Sequence, residues 1–408
     1  MSRSLRVAVA SWSSRRVGGI EDYLALVIPA LHSAGIETAF WHELDEPGNR
    51  PRIAIPKVVS DMCAATSGTE SALAALREWA PDVIYVQGML DAGVERRLMD
   101  VAPSVRFLHT YSGTCISGGK TFTRPTVNAC DRAFGWPCLL HYFPHGCGGR
   151  SPVTMWRQFQ RQNDQLATLR RYTSILTHTT HMQSELSKHG MRAEILPFPV
   201  EQRNGDRASF AGDVWRLLFA ARMDFLKGGR FLLDALPLVA AAAKRPVMLT
   251  LAGDGPERAA LEARAREIAA PDITTHFTGW VGQEYIGALM RNADLLVVPS
   301  VWPEPLGSIG PAAAQHGLPA AAYSVGGIGD WLTEGVSGHL APGHPPTPHG
   351  LARAIVQCLE DPRHYDLLRT GAREMSRRFT ITNHLPELIA RLEHAAGRTA
   401  PAGHAESR

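Results

Sequence analysis

Apolar residues fall along this chain in short continuous runs rather than in strict alternation. Leu5 to Ser11, Asp82 to Gly88, Val105 to His109, Ser174 to His178 and Glu194 to Phe198 form one series. Leu217 to Ala221, Val247 to Gly253, Ile273 to Thr278, Leu295 to Pro299 and Ala320 to Ser324 form a second. Such runs predict strands of parallel sheets covered on both faces, where neither side of a strand meets water. Between them lie stretches with helical spacing, such as Leu24, Val27, Ile28 and Leu31. Alternation of this kind from end to end predicts βαβ units and an α/β fold of two Rossmann-like, doubly wound domains.

The pattern lapses at residues 202–215, a polar stretch with two glycines and no apolar period, which reads as a linker. It separates an N-terminal domain, 1–201, from a C-terminal domain, 216–380. A helix at 381–397 is expected to pack back on the first domain, and 398–408 to form a flexible tail. Two sheets facing across a cleft would put a ligand at the carboxyl ends of their strands.

The 408 residues are 45% hydrophobic and 20% charged, enough apolar content for two cores and too much for long disorder. A net charge of +3 and a pI near 8.6 fall short of the one-sided excess of a nucleic-acid binder. No apolar run reaches the ~18 residues of a membrane span. The start, Met-Ser-Arg-Ser-Leu-Arg, lacks a signal peptide's apolar region. A cytoplasmic protein with reduced cysteines is the expectation.

Several strand-end loops could hold an anion. Gly18-Gly19 precedes a helix, where glycine lets the backbone approach a ligand; a tight turn explains it equally well. Arg222 and Lys227, five residues apart at a strand's end, could converge on a diphosphate or stand as solvated cations. Ala252-Gly253-Asp254-Gly255-Pro256 forms another turn into a helix. In Pro303-Glu304-Pro305-Leu306-Gly307-Ser308-Ile309-Gly310-Pro311, Pro311 fits a first helical position and Gly317 a helix C-terminus. Glu304 then lies in the preceding loop, where its carboxylate needs polar partners: sugar hydroxyls, or a structural cap.

In this order and spacing, these loops resemble the retaining nucleotide-sugar transferases of glycosyltransferase family 4, which have the GT-B architecture. The resemblance spans nearly the whole chain and includes His109, Leu196-Pro197-Phe198-Pro199-Val200, Gly317-Leu318-Pro319 and Gly326-Gly327-Ile328-Gly329-Asp330. It implies a nucleotide-sugar donor and a glycan, lipid-linked or small-molecule acceptor, with no cofactor needed for catalysis. It further implies donor contacts at Gly18, Gly19 and Gly255. Arg222 and Lys227 would neutralise the leaving diphosphate, Glu304 would bind the donor sugar, and the amides of Leu306, Gly307 and Ser308 the distal phosphate. His109 would touch the sugar near its reacting carbon. One departure stands out. The family carries a second glutamate eight positions after Glu304 that binds the ribose, and here that position is Ala312. Gln315 or His316 could replace it; a catalytically silent binding or regulatory protein, or a sugar-nucleotide epimerase, is the alternative.

Two features lie outside that pattern. The insertion at residues 113–149 holds Cys115, Cys130, Cys138 and Cys147, a candidate structural zinc site by ligand softness, although the paired spacing of ordinary zinc motifs is missing; small residues packing an irregular loop, or paired disulfides, are the other readings. Met155 to Arg161, with Arg170 and Arg171, is basic and partly aromatic. It is either a solvated helix face or a peripheral contact with the inner face of a membrane.

Overall fold

The computed structural model describes residues 3–16, 18–45, 51–201 and 213–398. Residues 202–212 of the expected linker and 399–408 of the expected tail lie outside the described residues. In the first half, β1 (Arg6–Ser13), β2 (Glu37–Leu44), β3 (Ser60–Cys63), β4 (Val83–Val86), β5 (Ser104–Phe107), β8 (Ser174–Thr177) and β9 (Glu194–Ile195) make one sheet; β6 (Thr121–Phe122) and β7 (Asn128–Ala129) form a small antiparallel hairpin in the insertion. The second half contains β10 (Trp215–Ala220), β11 (Val247–Ala252), β12 (Ile273–Gly279), β13 (Leu295–Val298), β14 (Ala320–Ser324) and β15 (Gly338–Pro342).

Strand order is β3-β2-β1-β4-β5-β8-β9 in the first sheet and β12-β11-β10-β13-β14-β15 in the second. Every pairing in these two sheets is parallel. In each sheet the chain starts in the middle, winds outward one way, then returns to wind the other. The reversal points, β1 beside β4 and β10 beside β13, are where doubly wound sheets leave a crevice.

The continuous apolar runs are buried as expected: Val83, Ile84, Tyr85 and Val86 are inaccessible, as are Leu295 and Leu296. Trp215, assigned to the linker, instead opens β10, because its indole is buried in the second core. The helix Ile381–Ala395 packs on the helix Gly19–Ser33 and on β4 and β5 of the first domain, burying His384, Leu388 and Leu392. Arg398, assigned to the tail, donates to the carbonyls of Arg3 and Ser4 and pairs with Asp82 at 2.6 Å.

Candidate active site

A cleft of about 1590 Å³ runs between the two sets of strand ends. From the first domain, Trp12 follows the buried part of β1 and donates through Nε1 to Glu21 at 2.8 Å. The other carboxylate oxygen of Glu21 accepts the Gly18 amide at 2.7 Å, which holds the turn into the helix Gly19–Ser33 open toward the cleft. Gly19 faces the second domain: a Cβ there would lie 3.9 Å from Ser308 Oγ. The first-domain glycines and the Leu306–Ser308 loop, 290 residues apart in sequence, thus meet across the cleft.

From the second domain, the turn after β10 is held by Asp224, whose carboxylate accepts the Lys227 amide at 3.2 Å and Arg222 Nε at 2.7 Å. Gly228 closes this turn with φ +70°, and a Cβ there would stand 1.8 Å from the Pro299 carbonyl oxygen. Only glycine therefore lets the Arg222–Lys227 loop lie against the loop after β13. This contact brings Lys227 Nζ to 2.6 Å from Glu304 Oε1, with Ser300 Oγ donating to the same oxygen at 2.5 Å. Lys227 Nζ also lies 4.8 Å from the centre of the Trp302 ring. Arg222 is largely exposed and lines the cleft with its guanidinium paired to Asp224.

The buried Glu304 sits on a loop clamped by both domains. Tyr111 and Thr179 of the first domain donate to the carbonyls of Pro303 and Pro305, on either side of it. From the second domain, the Gly327 amide donates to the Glu304 carbonyl at 2.6 Å. Leu306, Gly307 and Ser308 follow along the cleft wall, and Trp331 Nε1 fixes their course by donating to the Leu306 carbonyl at 2.6 Å. The helix begins at Ile309, so Pro311 is its third residue rather than its first. It is still in the first turn, where a missing N–H breaks no helical bond. Gly317 has φ +63°, the left-handed conformation that follows a helix end.

Two histidines close the first-domain side. His109 Nε2 donates to Gln87 Oε1 at 2.7 Å, leaving Nδ1 as an acceptor. Burial, and then the nearby His178, Arg106 and His384, hold its pKa well below the usual imidazole range. His178 lines the same cleft with its ring 4.8 Å from that of His109, and burial pushes its pKa down to about 3. Both rings are therefore neutral hydrogen-bonding groups at ordinary pH. Sequence reasoning missed His178, although the signal was available. It follows β8 as His109 follows β5, and these strands are neighbours with Phe107 opposite Leu176.

The structure therefore brings Gly18, Gly19, His109, Arg222, Lys227, Gly255, Glu304, Leu306, Gly307 and Ser308 to one cleft. Gly255 also has a packing role: a Cβ would stand 2.4 Å from the Met223 carbonyl oxygen. Ala312 lines the cleft beside His316, whereas the Gln315 amide nitrogen is buried with no hydrogen-bond partner among the described residues. Trp280, unremarked in the sequence, presents a largely exposed indole to the cleft.

Cys115, Cys130, Cys138 and Cys147 are absent from this cleft. They line a separate small cavity with Lys120, Arg132 and His141, all four as free thiols. Thiols suit a soft ion. Among the described residues, however, no three His, Cys, Asp or Glu side chains converge as a metal ion requires.

Residues 215–361 match the family model described as "Glycosyl transferases group 1". In sequence, the chain is 33% identical over 210 residues to a 2-deoxystreptamine glucosyltransferase of Streptomyces kanamyceticus, covering 51% of this chain and 52% of that one. It is 25% identical over 301 residues to a glycogen synthase of Mycobacterium tuberculosis, covering 70% and 62%. The chain thus spans about half to three-fifths of these relatives. In structure, it is similar to sucrose-phosphate synthase from Thermosynechococcus elongatus (TM-score 0.70, 18% identity, 96% and 100% coverage). It is also similar to Anabaena Alr3699/HepE in complex with UDP-glucose (TM-score 0.63, 17% identity, 96% and 100% coverage). The chain has the two-domain GT-B fold, and its residues 215–361 are similar to group 1 glycosyltransferases.

Proposed function

We propose that this protein is a retaining glycosyltransferase that moves a hexosyl group from a nucleoside-diphosphate sugar to a hydroxyl acceptor, without a catalytic metal. One observation carries the reading. Arg222, Lys227, Glu304 and the Leu306–Ser308 backbone line one cleft with the neutral histidines of the other domain. In the mechanism inferred, the donor diphosphate lies between Arg222, Lys227 and the amides of the Leu306–Ser308 loop. Their charge is available before the bond breaks, as electrostatic stabilisation of a leaving group requires.

Lys227 now shares its charge with Glu304. Engaging the diphosphate would weaken that pair and leave the Glu304 carboxylate to accept from the sugar's hydroxyls. As the anomeric C–O bond breaks, the electron pair goes to the departing phosphate oxygen. The acceptor oxygen bonds to the same face of the anomeric carbon, and its proton passes to that phosphate oxygen. His109 and His178 would hold sugar hydroxyls rather than supply a proton, since both are neutral and resist charging. With Ala312 unable to hold the ribose, the neighbouring His316 is assigned that contact.

The structures of Alr3699/HepE were solved with UDP, with UDP and glucose, and with UDP-glucose. UDP is accordingly the first nucleotide to test. The experiment is a thermal-shift series with UDP, GDP, ADP, TDP and CDP and their sugars, followed by donor hydrolysis. One base should raise the melting temperature with concentration. Lys227→Ala should lower hydrolysis by about 10²–10³-fold, the range for removing one preorganised charge-stabilising donor. No shift with any nucleotide from folded protein would overturn the proposal in favour of a silent binding protein, the reading that Ala312 supports.

A further inference from the structure

The basic, aromatic segment at residues 155–161 plays no part in the cleft, and the structure shows that it belongs to a larger surface. Of the twelve exposed large apolar side chains among the described residues, five fall within residues 136–156: Trp136 (68% exposed), Leu140 (64%), Phe143 (39%), Val153 (58%) and Trp156 (50%). Trp136 and Leu140 are one turn apart at the helix Pro137–His141, and Val153 and Trp156 one turn apart on the helix Pro152–Leu169. Ring contacts tie the two helices together. Phe134, just before Trp136, lies 5.3 Å from Phe159, and Phe159 stacks on Trp156 at 5.9 Å. Tyr142, beside Phe143, donates to Gln158 at 2.7 Å.

The charge along this segment is mostly positive. Residues 113–161 contain six lysines and arginines against a single acidic residue, Asp131. Lys120 is spent inside, paired with Glu185 at 2.6 Å. Arg124, Arg132, Arg150, Arg157 and Arg161 are all exposed. None of these five forms an ion pair among the described residues, whereas many arginines elsewhere do. Exposed indoles and aliphatic groups among unpaired guanidinium groups suit a boundary with apolar chains on one side and anionic groups on the other. Single exposed apolar side chains are ordinary on a protein surface, whereas a cluster of them marks an interaction surface.

We propose that this outer face of the insertion docks on an anionic lipid surface. Trp136, Leu140, Phe143, Val153 and Trp156 enter the headgroup boundary, while the arginines bind lipid phosphates. No helix of the described residues is long and apolar enough to cross a membrane, so attachment through this face is peripheral. The same insertion supplies Ser117, Gly118 and Gly119 to the cleft wall, so docking brings one side of the cleft toward the surface.

The test is co-sedimentation of the full chain with vesicles of mixed phosphatidylglycerol and phosphatidylcholine, and with vesicles of phosphatidylcholine alone. Binding is expected only to the anionic vesicles and is expected to weaken at high salt. A Trp136→Ser/Trp156→Ser variant and an Arg150→Glu/Arg157→Glu/Arg161→Glu variant should each lower the partition coefficient at least about tenfold. Melting temperatures close to wild type would show that both still fold, since the changed side chains are exposed. Failure of wild type to bind anionic vesicles would overturn the proposal, as would undiminished binding by both variants. Self-association abolished by the tryptophan variant, without vesicle binding, would reassign the face to a contact between copies of the chain.

Discussion

Lowering the pH from 7.5 to 5.0 should destabilise the first domain strongly, and the cause can be localised to buried imidazoles. His178 has its pKa pushed down to about 3 and His384 to about 4, in both cases chiefly by burial; His109 shifts in the same direction. The unfolded chain returns each to about 6.5. A depressed pKa means that the unfolded state binds the extra proton, so the stabilisation is present above 6.5 and is lost as pH falls toward the folded values. At pH 5.0 the unfolded histidine has gained about 1.5 pH units of protonation free energy that the folded one has not. This is worth about 2 kcal/mol per residue, or about 4 kcal/mol for His178 and His384 together. Urea unfolding followed across this range gives the slope directly. His384→Gln can keep a hydrogen bond to Tyr23 or to the Pro197 carbonyl, the two partners the imidazole holds at 2.8 Å. That variant should flatten the slope by close to one proton. Equal stability at pH 7.5 and 5.0, or an unchanged slope in His384→Gln, would refute the claim that these rings are folded neutral.

The exposed indole of Trp280 faces a cleft sized for a nucleotide. Trp280→Ala should weaken nucleotide binding about tenfold by calorimetry, as the loss of one base-stacking platform implies, with little change in melting temperature. Gly228→Val must push the Pro299 carbonyl away from a Cβ that would stand 1.8 Å from it. It should therefore destabilise the second domain by more than about 2 kcal/mol in urea unfolding, and a silent substitution would contradict the close loop contact. Burial, with the other three thiols of the cavity, pushes Cys147 up to about 12. At pH 8 its reaction with a disulfide reagent should be at least about 100-fold slower than that of an ordinary exposed thiol. The same preparations should contain well under one zinc per chain; equimolar zinc lost in Cys138→Ser would restore the metal reading.

The fold was legible where burial on both faces left an uninterrupted apolar signature, as in Val83–Val86 and Leu295–Val298. It was illegible at two of the sheet margins, whereas the edge strands β9 and β12 gave readable runs. β3 reads Ser-Asp-Met-Cys and β15 reads Gly-His-Leu-Ala-Pro, because an edge strand pairs on one side only and is partly exposed. β2 was missed for a different reason. Its Glu37, His42 and Glu43 break the run, although His42 is buried against Asp61 at 2.9 Å and Glu43 accepts the Leu90 and Asp91 amides. A one-dimensional pattern cannot show that such polar groups are satisfied by partners tens of residues away.

The candidate site divides along a similar line. Arg222, Lys227 and Glu304 could be named from local motifs because each lies in a turn whose glycines and prolines are visible in sequence. What their neighbourhood does to them could not. Glu304 is held between Lys227 and Ser300, on a loop whose flanking carbonyls are bound by Tyr111 and Thr179 of the other domain; apart from Ser300, these partners lie 77 to 192 positions from the residues they meet. This clamp matters to the reading of Ala312. A chain that had lost donor chemistry would be under no evident requirement to keep a buried carboxylate paired to a lysine at the mouth of a nucleotide-sized cleft. Burying a charged pair gives little net stability over an apolar pair of similar volume. The pair is more economically explained by what it can release: a cation for the diphosphate and an acceptor for the sugar, freed together when the donor arrives.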